Sequence, residues 1–393
     1  MVKNGRGGRR SMRILYGVNG EGMGHATRSQ VVVESLLEAN EVRVVASGAA
    51  HKYLSGVLPD VEEIMGAKFV MEDGAIRRWA TVRQNAVDVV GGAPKSVRHW
   101  IEMMHDWQPD VVVTDFEPLA ATYARISRTP LIAVDNISML DRCRHDEEIV
   151  TGHREDYAIA RTVARSMVPH AVRYIVTTFF RPPLAREQTT LVPPILRRAI
   201  VEAEPEEGDH LVVYSSGEES ALAALRASGV PCRVYGMRGG PREDTVDGNL
   251  ELKPRSEEGF VEDLRTARGV VAGGGFSLMS EAVYLGKPML AMPLLGQFEQ
   301  TMNSRYLERE GYGMAATELT PEIVARFIEG TGAYRERLAT YEQRGNEIAL
   351  RAVADRVAAA ARAPAAELRR ARRLARTPPI GRHDERIGED SGR

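Results

Sequence analysis

A chain of 393 residues exceeds the size of one typical hydrophobic core, so two domains are expected. The net charge of -2 supplies no strong field for binding nucleic acid or acidic lipid. Only Cys143 and Cys232 occur, which argues against a disulfide scaffold and a zinc site and fits a reducing compartment.

The chain opens with basic, glycine-rich residues, and we expect residues 1–11 to be disordered. No apolar run has the length of a signal peptide or a membrane span. The sequence therefore predicts a cytoplasmic protein. It leaves open only a loose contact of the Arg-rich start with the inner membrane face.

Apolar runs then alternate with helical patterns, which predicts βα units and parallel sheets. Predicted helices include Arg28–Ala39 and Ala93–Asp106. The predicted strands are Arg13–Val18, Val42–Ser47, Val111–Asp115, Leu131–Asp135 and Tyr174–Thr177, and then, after a proline-rich acidic segment, Leu211–Tyr214, Arg233–Tyr235, Leu250–Leu252, Val270–Ala272 and Met289–Met292.

This pattern predicts the α/β class, with two Rossmann-like, doubly wound domains that face each other across a cleft. The N-terminal acceptor domain is placed at 12–185, a linker at 186–209 and the C-terminal donor domain at 210–345. A helix at 346–376 is expected to cross or pack between the domains, and 377–393 to form a disordered tail.

The turn after the first strand is a glycine loop that displays one histidine. The dinucleotide fingerprint fails because His25 stands where a third glycine is needed, and the P-loop pattern fails as well. Imidazole suits a general base near neutral pH, so His25 is the candidate base. A structural role for His25 and a solvated Arg28 are the alternatives.

The buried strand Val111–Asp115 is followed by a second carboxylate, Glu117. The ends of parallel strands face the ligand crevice in such folds. Asp115 or Glu117 is therefore expected to orient His25 or to contact an acceptor, and a helix cap is the alternative role.

A longer motif in the second half combines a glycine triplet, a carboxylate one turn into the following helix, and polar residues after the next strand. Backbone N–H groups at a helix start favour phosphate, and the carboxylate could reach a sugar hydroxyl. The residues are Gly273, Gly274, Gly275, Glu281, Glu299, Gln300 and Asn303.

The string G-G-x(5)-E-A-x(3)-G-x-P, followed by P-x(6)-Q-x-x-N, resembles the donor half of GT-B glycosyltransferases. It is most similar to the family 28-like branch of the UDP-glycosyltransferase superfamily, which holds the N-acetylglucosaminyltransferase of peptidoglycan synthesis. The resemblance implies that Glu281 binds the nucleotide ribose and that His25 is the base for the acceptor. Glu299 stands where that branch usually carries Gln, which implies a different donor sugar.

The resemblance also implies a donor site built from both domains, with Phe260 at the position that contacts the nucleotide base. Its implied members are Gly22, Gly24, Ser215, Ser216, Gly217, Phe260, Gly273, Gly274, Gly275, Ser277, Glu281, Glu299, Gln300 and Asn303. A UDP-sugar is the implied co-substrate, with no cofactor, no metal and no nucleic acid partner.

The predicted function is an inverting, metal-independent transfer of a hexosyl group from UDP to a hydroxyl of a lipid, glycan or small molecule. Retaining relatives carry an acid eight residues before the ribose glutamate, whereas Gly273 stands there in this chain. No Asp-x-Asp pair is set on a loop to hold a metal. Acceptor contacts are expected from Gly74–Arg98 and Ser138–Arg165.

Three other functions stay open at this point. A UDP-sugar hydrolase shares the string G-M-G-H-x-x-R, although the chains that it resembles are shorter. A non-hydrolysing epimerase shares the fold, but its T-E-R-P-E run is absent. A nucleotide-sugar binding module without catalysis would keep the pocket and lack turnover.

Overall fold

The computed structural model describes residues 11–64, 71–72, 75–76, 100, 102 and 104–364. Within them the chain forms two seven-stranded sheets with helices packed on their faces. The predicted α/β class with two Rossmann-like domains is confirmed. The predicted disordered ends, most of the helix at Ala93–Asp106, and nearly all of Gly74–Arg98 lie outside the described residues.

The first sheet is entirely parallel, because every pair of neighbouring strands runs the same way. Its strands are β1 (Arg13–Val18), β2 (Glu41–Ala46), β3 (Val61–Glu63), β6 (Val111–Asp115), β7 (Leu131–Asp135), β8 (Arg173–Thr177) and β9 (Thr189–Val192). A separate antiparallel pair consists of β4 (Met71–Glu72) and β5 (Ala75–Ile76). The helices are α1 (Met23–Leu37), α2 (Gly48–Leu54), α3 (Pro118–Ser127), α4 (Met139–Arg142), α5 (Glu147–Val150) and α6 (Arg154–Met167).

The second sheet is parallel except for one antiparallel edge strand. Its strands are β10 (Leu211–Tyr214), β11 (Cys232–Tyr235), β12 (Thr245–Asp247), β13 (Leu250–Leu252), β14 (Gly269–Ala272), β15 (Met289–Ala291) and β16 (Gly313–Ala315). The remaining helices are α7 (Arg198–Val201), α8 (Glu219–Ser228), α9 (Glu257–Arg265), α10 (Phe276–Tyr284), α11 (Phe298–Glu310), α12 (Pro321–Leu338) and α13 (Glu347–Arg362).

Both sheets reverse their strand order beside their first strand. The orders are β3-β2-β1-β6-β7-β8-β9 and β12-β13-β11-β10-β14-β15-β16. In open parallel sheets the crevice at such a reversal is the usual ligand site. The loops after β1 and β6 therefore meet in one domain, and the loops after β10 and β14 meet in the other.

The predicted linker at 186–209 begins too early. Residues Thr189–Val192 form β9, which pairs in register with β8 and so extends the first domain beyond residue 185. Two of these four residues are buried. The connection between the sheets therefore runs from residue 193, past the short helix α7, to β10.

The last described helix returns the chain to the first domain. Ala349, Val353 and Val357 of α13 are buried in the same apolar cluster as Ile14 and Tyr16 of β1. The described part of this helix therefore packs on the first domain, and that the helix at 346–376 crosses or packs between the domains stays a prediction. Residues 365–376 of the predicted helix lie outside the described residues.

Aromatic rings join the two domains. Phe179 stacks on Phe276 with ring centroids 6.0 Å apart, and Phe180 stacks on Tyr306 at 3.7 Å. His145 accepts or donates a 2.8 Å hydrogen bond at the Tyr306 hydroxyl. One apolar cluster contains residues of both sheets, so the two domains share a continuous apolar core.

Candidate active site

The glycine loop of the first domain ends in the first turn of α1. Gly22 is the N-cap residue with φ of 86°, a conformation that favours glycine. The helix begins at Met23, five residues before the predicted start, so His25 and Arg28 are separated by one helical turn. That spacing places both side chains on the same face of α1.

Asp115, at the end of β6, collects the polar groups of that face. Its Oδ1 lies 2.8 Å from His25 Nδ1, and its two oxygens accept bonds of 2.6 and 3.0 Å from Arg28. Ser29 Oγ donates a further bond of 3.1 Å to Oδ2. The carboxylate is fully buried, and Arg28 is buried with it. The alternative of a solvated Arg28 is therefore wrong.

The ionisation of Asp115 fixes the tautomer of His25. Burial alone would raise the pKa of Asp115, but Arg28 and His25 outweigh it and hold that pKa below its usual value. An ionised carboxylate only accepts hydrogen bonds, so the Nδ1 atom of His25 carries the proton. Arg28 Nη2 is 3.3 Å from Nδ1, farther than the carboxylate. In a neutral ring with the proton on Nδ1, Nε2 is the atom that can accept a proton.

Glu117 caps a helix, which is the role that the sequence left open as the alternative to orienting His25 or contacting an acceptor. Its two oxygens accept hydrogen bonds of 2.9 and 2.6 Å from the backbone N–H groups of Leu119 and Ala120 at the start of α3. Burial raises its pKa to about 7. Of the two carboxylates at the C-terminal end of β6, the structure therefore joins Asp115, and not Glu117, to His25.

The glycine triplet precedes α10, and its members differ in how much space a side chain would find there. A Cβ at Gly274 would lie 2.5 Å from the backbone oxygen of Gln300, so this glycine permits close packing of α11. A Cβ at Gly275, the N-cap of α10, would meet nothing within 4 Å. No side chain among the described residues caps this helix start. The start of α10 thus has open space beside Gly275 and no cap from a side chain at the N-cap position.

Polar residues of α11 brace the same loop. Gln300 Oε1 accepts 3.1 Å bonds from the N–H groups of Gly274 and Leu294, so the amide of Gly274 is already used within the protein. Asn303 Nδ2 donates to Gly274 O at 3.3 Å, and its buried Oδ1 has no partner among the described residues. Glu299 lies 3.5 Å from Asn303 Nδ2.

Glu281 is buried on α10 and forms an ion pair that its motif does not reveal. Arg197 donates two hydrogen bonds of 2.8 Å, one to each carboxylate oxygen. Burial raises the pKa of Glu281, while Arg197 acts in the opposite direction. Glu281, the residue predicted to bind the ribose, is thus held by an arginine from the connection between the domains.

The other predicted donor residues lie around this loop. Ser215, Ser216 and Gly217 follow β10, and Gly217 has φ of 85°. Phe260 lies inside α9, where its N–H already bonds Ser256 O, so it does not belong to a loop with a free backbone amide. Its ring packs edge-on against Tyr214 and Tyr235.

The two halves of the site meet across the cleft. A Cβ at Gly24 would lie 2.2 Å from Ser277 Oγ, so α1 and α10 approach each other at their N-terminal ends. Burial raises the pKa of Glu299, and the charges of His25 and Arg28 lower it, which places this carboxylate within their field. The structure therefore brings His25 to the donor motif.

The comparisons with known proteins agree with this architecture. A family model described as "Glycosyl transferase family 1" matches residues 12–331. The chain belongs to this glycosyltransferase family. An uncharacterized glycosyltransferase of Methanosarcina acetivorans is 25% identical over 377 residues, which cover 86% of this chain and 95% of the relative.

Solved glycosyltransferases show the same GT-B fold. The glycosyltransferase of kitacinnamycin superposes with a TM-score of 0.62 at 16% identity, covering 89% of this chain and 100% of that one. UGT2 of Phytolacca americana superposes with a TM-score of 0.58 at 15% identity, covering 88% and 100%. The narrower likeness to the peptidoglycan branch stays a prediction.

No group of three or more His, Cys, Asp or Glu side chains in the part of the chain that the structure describes is arranged to hold a metal ion. No helix there has the length and apolar character needed to cross a membrane.

Sequence reasoning missed Arg197 and underrated Arg28. Arg197 lies 84 residues before Glu281 in a proline-rich segment that matches no motif. Arg28 did carry a signal, since its spacing of three from His25 on a helix predicts a shared face.

Proposed function

We propose that this glycosyltransferase moves a hexosyl group from UDP to a hydroxyl acceptor, with inversion, without a metal ion and with His25 as base. The observation that carries the proposal is the His25–Asp115 pair at the cleft. Its hydrogen bond of 2.8 Å fixes the ring and leaves Nε2 free of partners among the described residues.

In the proposed reaction the acceptor oxygen attacks the anomeric carbon of the donor sugar. As that bond forms, His25 Nε2 takes the hydroxyl proton, and the bond to the diphosphate breaks on the opposite face. The buried Asp115 stabilises the imidazolium that results, because the two charges are opposite and in contact. Inversion follows from this single displacement.

The departing diphosphate would lie at the start of α10. Gly275 leaves room in front of the helix, and uncapped N–H groups together with the helix dipole favour negative charge there. UGT2 of Phytolacca americana, of the same fold, is known as a complex with UDP-2fluoro-glucose. This supports a UDP-sugar as the donor class.

Glu281 and Glu299 would divide the recognition of the donor. Glu281, buried on α10, would accept hydrogen bonds from the ribose hydroxyls. Glu299, in the first turn of α11 beside the braced glycine loop, would contact the donor sugar. The bracing bonds of Gln300 to Gly274 and Leu294 would hold this loop in shape.

The function is tested by incubating the protein with a panel of UDP-sugars and measuring free UDP with and without hydroxyl acceptors. A transferase releases UDP only with an acceptor, and product NMR should show the inverted anomer. UDP release that is independent of every acceptor indicates a hydrolase. Binding of UDP-sugar without any turnover indicates a binding module.

Metal independence gives a separate prediction. Addition of EDTA should leave the transfer rate unchanged, because protein N–H groups and the helix dipole would stabilise the leaving diphosphate. Activity that EDTA abolishes and added magnesium restores would contradict this part of the proposal.

A further inference from the structure

Arg197 contacts two of the residues assigned to nucleoside binding, although it belongs to neither domain's motif. Its Nε and Nη2 donate to Glu281 at 2.8 Å, and its Cζ lies 5.8 Å from the ring centre of Phe260. Its third nitrogen, Nη1, donates to Glu257 at 3.1 Å. The side chain is only 15% exposed. One guanidinium thus links the predicted ribose and base positions.

We infer that Arg197 is a positioning residue of the nucleoside site, which orients the Glu281 carboxylate for the ribose hydroxyls of the donor. This inference rests on the proposed function, because it assumes that Glu281 binds ribose. Through Glu281, the connection between the domains would then take part in donor recognition.

The geometry leaves Glu281 able to bind Arg197 and the ribose hydroxyls at the same time. Each carboxylate oxygen can accept more than one hydrogen bond, and Arg197 uses one acceptor position on each. The planar, two-point contact fixes the carboxylate plane, which a flexible carboxylate alone would not do. The remaining acceptor positions can then meet the adjacent O2′ and O3′ hydroxyls.

The charge of Arg197 also favours the ionised form of Glu281, which is the form that accepts hydrogen bonds. Burial and the nearby Glu257 both raise the pKa of Glu281, and Arg197 is the group that lowers it. Without the guanidinium a larger fraction of Glu281 would be protonated, and a protonated carboxyl loses acceptor capacity. Ribose recognition should then weaken and become dependent on pH.

The segment that carries Arg197 is tied to the returning chain. Leu196 N donates to Asn346 Oδ1 at 2.9 Å, and Asn346 Nδ2 donates back to Leu196 O at 2.6 Å. Gln343 Nε2 donates to Pro194 O at 2.8 Å. These bonds join the two crossings between the domains, so Arg197 projects from a fixed backbone.

The test is a calorimetric titration of UDP and 2′-deoxy-UDP into the wild type and four variants, one of which, Glu281→Gln, checks the ribose contact itself. Arg197→Ala should bind UDP about tenfold more weakly or worse and should lose most of the preference for UDP over the deoxy form. Arg197→Lys keeps the charge and should retain part of that preference. Arg198→Ala is the matched control, since its side chain is 85% exposed and pairs with Glu202 one helical turn further along the chain.

A pH series separates positioning from a general structural role. For Arg197→Ala, the preference for UDP over 2′-deoxy-UDP should increase as the pH rises, because Glu281 regains its charge. The wild type should show a smaller increase over the same pH series, because Arg197 lowers the pKa of Glu281. Circular dichroism checks folding, and if Arg197→Ala does not fold, the weakened preference of Arg197→Lys carries the test.

The contrary outcomes are distinct. Wild-type affinity in Arg197→Ala, with weakened binding in Glu281→Gln, overturns the role of Arg197 and keeps the proposed function. Weaker binding with an undiminished preference for UDP means that Arg197 contacts the diphosphate, which also overturns the inference. If the wild type binds no UDP, the proposed donor class itself fails.

Discussion

The two walls of the cleft hold their polar groups in different ways. In the first domain one buried carboxylate, Asp115, gathers His25, Arg28 and Ser29 within 3.1 Å. In the second domain the loop before α10 is braced by the neutral carboxamide of Gln300, and Glu281 is held from outside by Arg197. The first domain thus holds a buried network of charged groups, and the second domain presents a helix start without a side-chain cap.

The difference indicates a division of work. A buried network whose members satisfy one another has a fixed geometry before any ligand arrives, which suits proton transfer. The start of α10 has open space beside Gly275 and no side-chain cap at its N-cap position, which suits binding of an anion. We therefore expect variants of the first wall to affect turnover or folding, and variants of the second wall to affect nucleotide affinity.

The largest expected effect is on turnover. His25→Ala should lower the transfer rate by about 10²- to 10⁴-fold, because the acceptor would lose its base. The rate is measured as UDP release with saturating donor and acceptor. The matched control is His105→Ala, an exposed histidine that precedes β6. Near-normal turnover of His25→Ala would show that the polar groups of the first domain do not carry out the proton transfer.

The next effect is on stability and tests whether the first network is closed. Arg28→Met should lower the free energy of unfolding by about 3 to 5 kcal/mol, because the buried Asp115 would lose its main counter-charge. Urea unfolding gives the value. In Arg351→Met, which removes an exposed pair with Glu347, the change should stay within about 0.5 kcal/mol. Equally small changes in Arg28→Met and Arg351→Met would show that Arg28 does not stabilise the buried network around Asp115.

The smallest effect concerns Glu117, which caps α3 beside the first wall. Its pKa is raised by burial from 4.5 to about 7, so the folded state binds a proton that the unfolded state has released between these values. Stability should therefore fall as the pH rises from about 4.5 to about 7, with Glu117 contributing about 1 to 3 kcal/mol. Glu117→Gln should flatten that fall. An unchanged slope in the variant would contradict this account of the cap.

Central strands were predictable from the sequence because both faces of a parallel strand are buried. Val111–Asp115 and Leu131–Asp135 are buried at every position, and the apolar runs gave their bounds correctly. β9 was missed because this edge strand is short, contains Thr189 and Thr190, and precedes two prolines. Its pairing with β8 is a long-range contact without a local pattern.

The site was predictable only where its residues share a local motif. The glycine triplet and Glu281 lie within nine residues, and the helix start that they predict is present. The partners of these residues come from distant segments: Asp115 is 90 positions from His25, and Arg197 is 84 from Glu281. Which carboxylate would reach His25, and which cation Glu281, depends on tertiary packing that periodicity does not encode.

The most direct test of the central claim, that the two walls divide chemistry from donor binding, is one calorimetric series of UDP binding. Wild type and His25→Ala should show the same dissociation constant, whereas Glu281→Ala should bind about tenfold more weakly or worse, because a charge-assisted hydrogen bond to ribose is lost. Equal weakening in both variants, or unchanged affinity in a folded Glu281→Ala protein, would contradict the account.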